Sequence, residues 1–366
     1  MLEIAKYLSW RQAHFECRAW GLGLHRSKRR YRSLLWGALG RILICASLCL
    51  FLPAAAWAGL NYNPNSLRGV STAYGFILGQ EASLARIEQH YPSMAMQVEL
   101  ARLRFSSAFP DIKMKLEREL ISAMGESKFR ELRAELGGRI DPILRKQQLT
   151  PDLAASFLEE VKGRAKGDFI EADALRYLLA VRYSVNPAGE FFDGFRQRYS
   201  TNSHAKSQGI KLMMQLPRSW LGKEGERPHI VQKWVSESGT GPSMIMLDVR
   251  DAEGYNPTRV EIEQLVRNGE LKDIIPEGGK YLDGGSFSLE KRTGYWIESA
   301  IDQERAGIRL HQRGVMYIFF FRGKAIGLTC ASLAPQKESK RVDGFFKLNK
   351  PLCQQVLNSI VLEQAY

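Results

Sequence analysis

The spacing of apolar residues changes near residue 205 from a helical period to alternation. Between about 70 and 200 they recur three and four positions apart, as in Leu84, Ile87 and Tyr91, which is typical of amphipathic helices. From about 210 onward they alternate with polar residues in short segments bounded by Gly, Pro or Asn, which is typical of strands. The chain is therefore predicted to have a helical part followed by a part built on a sheet.

The helical part is predicted to hold six helices joined by short segments, as in helical hairpins. Pro110 opens one helix, the pair Gly137-Gly138 stops the next, and Asn186-Pro187 ends the last. One predicted helix carries a single apolar stripe, which consists of Met94, Val98, Leu100, Leu103 and Phe105. No repeat of fixed period is present in the sequence, which argues against a solenoid.

The small, polar segment from Tyr199 to Gly209 is predicted to separate a helical domain, 59–205, from a second domain, 206–366. Strand-like segments in hairpins and two helix-like segments, Thr258–Arg267 and Lys350–Leu362, favour the α+β class, with an antiparallel sheet flanked by helices. The predicted strands are Ile210–Leu216, His229–Val235, Met244–Val249, Ser286–Glu290, Gly294–Ile301, Gly307–Gln312, Val315–Phe321 and Ala325–Cys330.

Several short motifs of this second part follow one another in a recognisable order. A strand from Met213 leads to Pro217, two further residues and Trp220; a strand at 294–298, a hairpin at 315–332 and a helix at 345–362 follow. This order is similar to that of PsbP-like domains, which include a photosystem II accessory protein, a nuclear import factor and bacterial periplasmic proteins. The resemblance covers about 206–366 and implies a fold and non-enzymatic binding roles. It carries over no catalytic residue.

The first 58 residues have the order of a secretory signal peptide. A basic segment is followed by the apolar run Ile42–Leu52, then by Pro53 and a small-residue site that ends at Ala58. Cleavage is predicted between Ala58 and Gly59, and the mature chain is predicted to be periplasmic or secreted. The alternative is an uncleaved anchor, but eleven apolar residues span about 16 Å of helix, against the roughly 30 Å of a bilayer core. Membrane contact is thus predicted only in transit.

Most of the formal charge of +13 belongs to this leader, which holds nine basic and two acidic residues. The remaining 308 residues carry +6, spread over both predicted domains. Nucleic-acid binding normally needs a concentrated basic patch or stripe. The charge distribution therefore argues against a nucleic-acid partner.

Only two of the five cysteines, Cys330 and Cys353, lie beyond the predicted cleavage site. In an exported chain, such a pair predicts a disulfide. Two separate buried thiols are the alternative. Metal binding is disfavoured because no other Cys or His lies nearby at ligand spacing.

No catalytic, cofactor-binding or metal-binding motif is present. The four histidines beyond residue 58 are His90, His204, His229 and His311, and none forms HExxH or another metal pairing. G-x-S-x-G, P-loop and G-x-G-x-x-G sequences are also missing. A hydrolase that uses Ser286 would need a positioned histidine, which the sequence does not indicate. No cofactor is predicted.

The most distinctive stretch is 217–234, which brings Arg218, Trp220, Arg227, His229 and Trp234 together around a predicted loop. Trp and Arg are enriched in binding hot spots, so these five residues are the candidate partner-binding residues. The alternative is that both tryptophans belong to the core, as tryptophans usually do.

These features predict an exported, non-catalytic module that binds an unknown protein partner in the cell envelope. The alternatives are a hydrolase with an undetected site and a carrier of an apolar ligand in a groove between the domains. A hydrolase needs a deep pocket with convergent polar groups and perturbed pKa values. A carrier needs an apolar cavity, and an interaction module needs an exposed apolar patch.

Overall fold

The structure, a computed structural model, describes Leu60, 63–276, 278–305 and 307–366. The predicted signal peptide, 1–58, and its cleavage site between Ala58 and Gly59 lie outside the described residues. Residues 58–366 cluster as one unit. None of the helices in the described ranges is both long and apolar enough to cross a membrane.

The helical part is organised around its first and longest helix. Asn63 caps this helix, because its side chain accepts hydrogen bonds from the backbone N–H groups of Asn65 and Ser66. The helix contacts the five that follow it, and its buried Tyr74, Leu84 and Ile87 form the centre of an apolar core. The helices are α1 (Pro64–His90), α2 (Ala95–Ala108), α3 (Ile112–Met124), α4 (Glu126–Lys146), α5 (Pro151–Arg164), α6 (Ala172–Arg182) and α7 (Pro187–Phe192).

The helix stop predicted at Gly137-Gly138 is wrong, because α4 continues through both glycines to Lys146. A glycine inside a helix costs about 1 kcal/mol relative to alanine, and packing offsets this cost. Phe129 is buried in the helical core and Leu136 packs against it. Arg139, directly after the pair, forms an ion pair with Glu135 one turn earlier. Tertiary contacts therefore override the local signal.

The second part is built on two antiparallel sheets. The smaller has the strand order β1-β2-β10, and the larger has the order β3-β4-β5-β9-β8-β7-β6. The α+β prediction, a helical region followed by antiparallel sheets flanked by helices, is confirmed. The strands are β1 (Arg196–Ser200), β2 (Leu212–Pro217), β3 (Leu221–Glu224), β4 (Ile230–Val235), β5 (Ser243–Asp251), β6 (Gly279–Leu289), β7 (Arg292–Arg305), β8 (Ile308–Phe321), β9 (Lys324–Pro335) and β10 (Val361–Leu362).

Two strand and helix boundaries differ from the sequence prediction. The turn predicted at Arg313-Gly314 is wrong, because β8 runs without a break through both residues. A Cβ atom at position 314 would lie 2.9 Å from the carbonyl oxygen of Cys330, so this glycine permits close packing of strands rather than a turn. The closing helix also begins earlier than predicted, at Ser339, and residues 361–362 form a strand.

Helices cover both faces of the larger sheet. The helix α9 (Ser339–Asn358) packs against β8 and β9, where the structure pairs Cys353 with Cys330 at a Cα–Cα distance of 6.2 Å. The short helix α8 (Arg259–Arg267) covers β6 and β7 through Ile262. The strand β1 precedes residue 205 and pairs with β2; the division into 59–205 and 206–366 stays a prediction.

Candidate functional site

A buried polar cluster lies where α6, α7 and α9 meet the segment between β2 and β3. It surrounds a cavity of about 50 Å³. The polar lining comes from the side chains of Glu190, Ser219, Glu237, Ser243 and Asn349. Each comes from a different element or connection, so this junction exists only in the folded chain.

Glu190 is the central group of the junction. It lies in the first turn of α7, is 2% exposed, and has no ion-pair partner within 4 Å among the described residues. One carboxylate oxygen accepts a hydrogen bond from the backbone N–H of Ser219 at 2.7 Å, and the other accepts one from its hydroxyl at 2.5 Å. Burial raises the pKa of Glu190 to about 7, although these hydrogen bonds oppose the shift.

A second set of hydrogen bonds joins the sheet to α9. The hydroxyls of Ser243 on β5 and Ser332 on β9 lie 2.8 Å apart. The side-chain amide of Asn349 donates to the Ser243 hydroxyl at 3.1 Å and to the carbonyl of Phe345 at 2.9 Å. These groups satisfy one another in a buried setting, where an unpaired polar group would be costly.

The turn next to the cavity is strained. Glu237 and Ser238 have φ values of 53° and 54° and are followed by Gly239, also left-handed. Non-glycine residues rarely adopt this conformation, and each costs about 1–2 kcal/mol. The turn is held because the N–H of Ser238 donates to the carbonyl of Ser219 at 2.9 Å and the Arg176 side chain donates to the Ser238 hydroxyl at 3.3 Å. The helical part thus fixes a turn of the sheet part.

The cluster is a structural junction with limited chemical capacity. A hydroxyl hydrogen-bonded to a carboxylate, as in Ser219 and Glu190, is the beginning of a nucleophile–base arrangement. However, both residues are buried, and none of the residues around this cavity is a histidine. About 50 Å³ holds a few water molecules, whereas small-molecule sites measure roughly 300–1,000 Å³. The junction therefore has no room for a substrate or an apolar ligand.

The structure separates the five residues proposed from the sequence. Trp220 and Trp234 are 4% and 2% exposed and belong to the core of the sheet part. The Arg218 guanidinium donates to the carbonyls of Lys166 and Gly167, both at 3.3 Å, and so links the sheet part to the helical part. Only Arg227 is fully exposed, and His229 is half-buried.

The histidines and Ser286 form no catalytic group. His311 lies 2.7 Å from Asp302 across a strand pair, and His204 accepts a hydrogen bond from the N–H of Lys206. Ser286 is exposed on the edge strand β6. Within the described ranges, no three His, Cys, Asp or Glu residues are placed to hold a metal ion.

An exposed apolar stripe lies on the outer face of α2, and we call Met96, Leu100 and Leu103 the α2 stripe. These side chains are 78%, 52% and 52% exposed. They occur four and three residues apart, so they share one face and span about 10 Å along the helix. The opposite face buries Val98 and Phe105 in the helical core. The helix is therefore apolar on two faces, of which only one is covered by described residues.

The single apolar stripe predicted for this helix is wrong in two members. Leu100 and Leu103 were grouped with Val98 and Phe105, but the helical rotation places them on the outer face. The sequence does contain the signal, since positions 96, 100 and 103 repeat at helical spacing and are out of phase with positions 98, 101 and 105.

No protein family matches the sequence. No curated protein matches it either. Solved structures do show likenesses. PsbP (CyanoP) from Synechocystis is 13% identical with a TM-score of 0.29, and the match covers 46% of this chain and 92% of that one. LpqN, involved in cell envelope biogenesis of Mycobacterium tuberculosis, is 15% identical with a TM-score of 0.27, covering 48% and 97%.

The Ran-binding protein Mog1p of Saccharomyces cerevisiae is 6% identical with a TM-score of 0.31, and the match covers 46% of this chain and 95% of that one. The PsbP-like resemblance of the C-terminal part, predicted from the sequence motifs, is confirmed as a likeness of fold. Identities of 15% or less and TM-scores near 0.3 say nothing about function.

Proposed function

We propose that this protein is an exported, non-catalytic interaction module that binds a protein partner of the cell envelope through the α2 stripe. The observation that carries the proposal is the exposure of three large apolar side chains on one helical face. Scattered exposed apolar residues are ordinary on a protein surface, whereas a contiguous group favours an interaction site. The small junction cavity offers no comparable support for a hydrolase or a carrier.

The proposed contact moves from the Arg218–His229 segment to α2 for a physical reason. Both tryptophans of the sequence proposal are buried, and the Arg218 side chain is held by backbone carbonyls of 166 and 167. A partner would have to unfold these contacts before it could use them. The α2 stripe is already exposed, so binding there costs no rearrangement.

The stripe favours an amphipathic helix as the partner's binding element. Its three side chains are one turn apart, which is the spacing at which side chains of a second helix interdigitate. The flexible Met96 adapts to an irregular partner surface. Glu99 and Arg104 are exposed on opposite sides of the stripe, so a partner helix with the complementary charges would bind in one orientation.

Leu100→Lys is expected to weaken partner binding by about thirtyfold, because a buried hot-spot leucine would be replaced by a charge that the interface must desolvate. Full-length mature protein would be immobilised, incubated with a cell-envelope extract, and the bound proteins quantified by mass spectrometry. Ile143→Lys is the matched control, because Ile143 is also a half-exposed aliphatic residue, on α4. The control should retain the same partner.

Stability and self-association decide how the capture result is read. Leu100 is already about half exposed, so Leu100→Lys should change the free energy of unfolding by less than about 0.5 kcal/mol. Equal capture by wild type and Leu100→Lys would contradict the proposal. A wild-type dimer that Leu100→Lys dissociates, measured by light scattering, would also contradict it, since the stripe would then bind a second copy.

The export step of the proposal has its own expected result. The order of basic, apolar and small residues up to Ala58 supports cleavage by a signal peptidase. Protein isolated from the periplasm or medium should therefore begin at Gly59 on N-terminal sequencing. An intact N-terminus recovered from the membrane fraction would disprove cleavage while leaving the α2 proposal standing.

A further inference from the structure

A second cavity lies at the end of the seven-stranded sheet, far larger than the junction cavity. It measures about 340 Å³, which is within the range of small-molecule sites. The turn between β6 and β7, the turn between β8 and β9, and the segment that leads into α8 form its walls. Its lining includes four basic residues, Arg259, Lys291, Arg292 and Arg322. We call this space the basic cavity.

Two of the four basic residues occupy backbone positions that favour glycine or asparagine. Lys291 and Arg322 have φ values of 62° and 51° in two tight hairpin turns. Two-residue turns of this kind prefer Asn-Gly or Gly-Gly, and a bulky residue with positive φ is unusual. Strain of this kind clusters at binding and catalytic sites, and here it places two cations at the same cavity.

Three of the four positive charges lack a carboxylate partner. Arg259 pairs with Glu263 at 2.7 Å. In the described part of the chain, no carboxylate oxygen lies within 4 Å of the side-chain nitrogens of Lys291, Arg292 or Arg322. Glu290, next to Lys291, accepts a hydrogen bond from the Tyr366 hydroxyl at 2.7 Å. The lining therefore has an excess of positive charge.

An aromatic ring orients two of these charges. The guanidinium of Arg292 lies 4.3 Å from the ring centroid of buried Phe321, and that of Arg322 lies 5.5 Å from it. Arg292 also donates to the carbonyl of Glu290 at 2.7 Å. Stacking fixes the plane of a guanidinium and leaves its edge free to bind an oxyanion. Arg292 is consequently preorganised.

From this cavity, its charge and its orientation, we propose that the basic cavity binds a phosphate-bearing ligand. Arginine and lysine are the residues that recognise phosphate, arginine through paired N–H donors and lysine as a point charge. The volume exceeds that of a single phosphate and admits a pyrophosphate or a phosphorylated headgroup. The same chemistry serves a small free phosphate compound or a phospholipid, and the two sources can be separated by experiment. This proposal does not depend on the α2 stripe.

The test uses the mature full-length chain and inorganic pyrophosphate in isothermal titration calorimetry at constant ionic strength. The double variant Lys291→Gln, Arg322→Gln should bind pyrophosphate at least about tenfold more weakly than wild type, because two charge-assisted contacts are lost. The matched control is Arg309→Gln, Lys347→Gln, which removes the same charge from two other exposed positions. Arg309 lies near the opposite end of β8, about 40 Å from Arg322. The control should bind within twofold of wild type.

A second arm distinguishes the source of the phosphate. Wild type and both double variants would be sedimented with phosphatidylglycerol vesicles and with phosphatidylcholine vesicles. Binding to phosphatidylglycerol that is competed by pyrophosphate and lost only in the Lys291, Arg322 variant assigns the cavity to a lipid headgroup. Pyrophosphate binding without vesicle binding assigns it to a free phosphate compound. Absence of pyrophosphate binding by wild type, or an equal loss in the control variant, would overturn the proposal.

Discussion

Gly69→Ala is expected to lower the free energy of unfolding by about 2–3 kcal/mol. Gly69 lies on the buried face of α1, where the ring of Tyr177 from α6 packs directly on its Cα atom. A Cβ atom at this position would lie 1.9 Å from the Cε2 atom of Tyr177 and 2.3 Å from two further ring atoms. Tyr177 is only 4% exposed, so its ring cannot swing away without moving α6.

Gly79→Ala, in the same helix, is the matched control and should act in the opposite direction. No heavy atom lies within 4 Å of a Cβ built at position 79. The alanine should therefore stabilise the protein by about 0.5–1 kcal/mol, because it restricts the unfolded chain and favours the helix. Urea denaturation followed by circular dichroism measures both variants. Destabilisation of similar size in both would show that the Gly69–Tyr177 contact is not responsible.

The sequence predicts what depends on local spacing. The class, the helical region and most strands follow from apolar periodicity, which is a property of neighbouring residues. The glycine errors have a different origin. Gly137-Gly138 and Gly314 have the same composition as stops and turns, but their roles depend on residues that lie opposite them in the fold, such as Cys330. Periodicity carries no information about such partners.

The candidate sites show the same limit more strongly. Nothing in the segment around Glu190 indicates that its carboxylate is buried against Ser219, which lies 29 residues later. The basic cavity joins residues from three separate connections, including Arg259 and Arg322. By contrast, the α2 stripe could have been found, because Met96, Leu100 and Leu103 are themselves one turn apart. Sites formed within one element are visible in sequence, and sites formed between elements are not.

Glu190 is expected to make the protein less stable as the pH rises from about 4.5 to about 7. Burial raises its pKa in the folded chain from 4.5 to about 7. Within this window the folded chain holds a proton that the unfolded chain has released, so its contribution to the free energy of unfolding falls with increasing pH. The contribution is complete below pH 4.5 and is lost above pH 7. Its full size is about 3 kcal/mol, at 1.36 kcal/mol for each pKa unit.

Glu190→Gln isolates this contribution from those of other groups. Burial also raises the pKa of Asp248, whereas hydrogen bonds from Lys350 and Arg313 outweigh burial and lower the pKa of Glu298. The wild-type protein therefore shows only their sum. Glutamine keeps an oxygen that can accept from the Ser219 backbone N–H but cannot ionise. The difference in unfolding free energy between the variant and wild type should shift by about 3 kcal/mol in favour of the variant between pH 4 and pH 8.

The control for this pH series is Glu226→Gln, because the Glu226 side chain is 91% exposed. Its difference from wild type should vary by less than about 0.5 kcal/mol over the same range. Urea unfolding at half-unit pH steps provides the measurement. A pH-independent difference for Glu190→Gln would mean that the folded chain holds Glu190 with an ordinary pKa. The expected slope, in contrast, makes ionisation of this one carboxyl the step that weakens the joint between α7 and the Ser219 segment, since the charged form gains no cation to replace lost water.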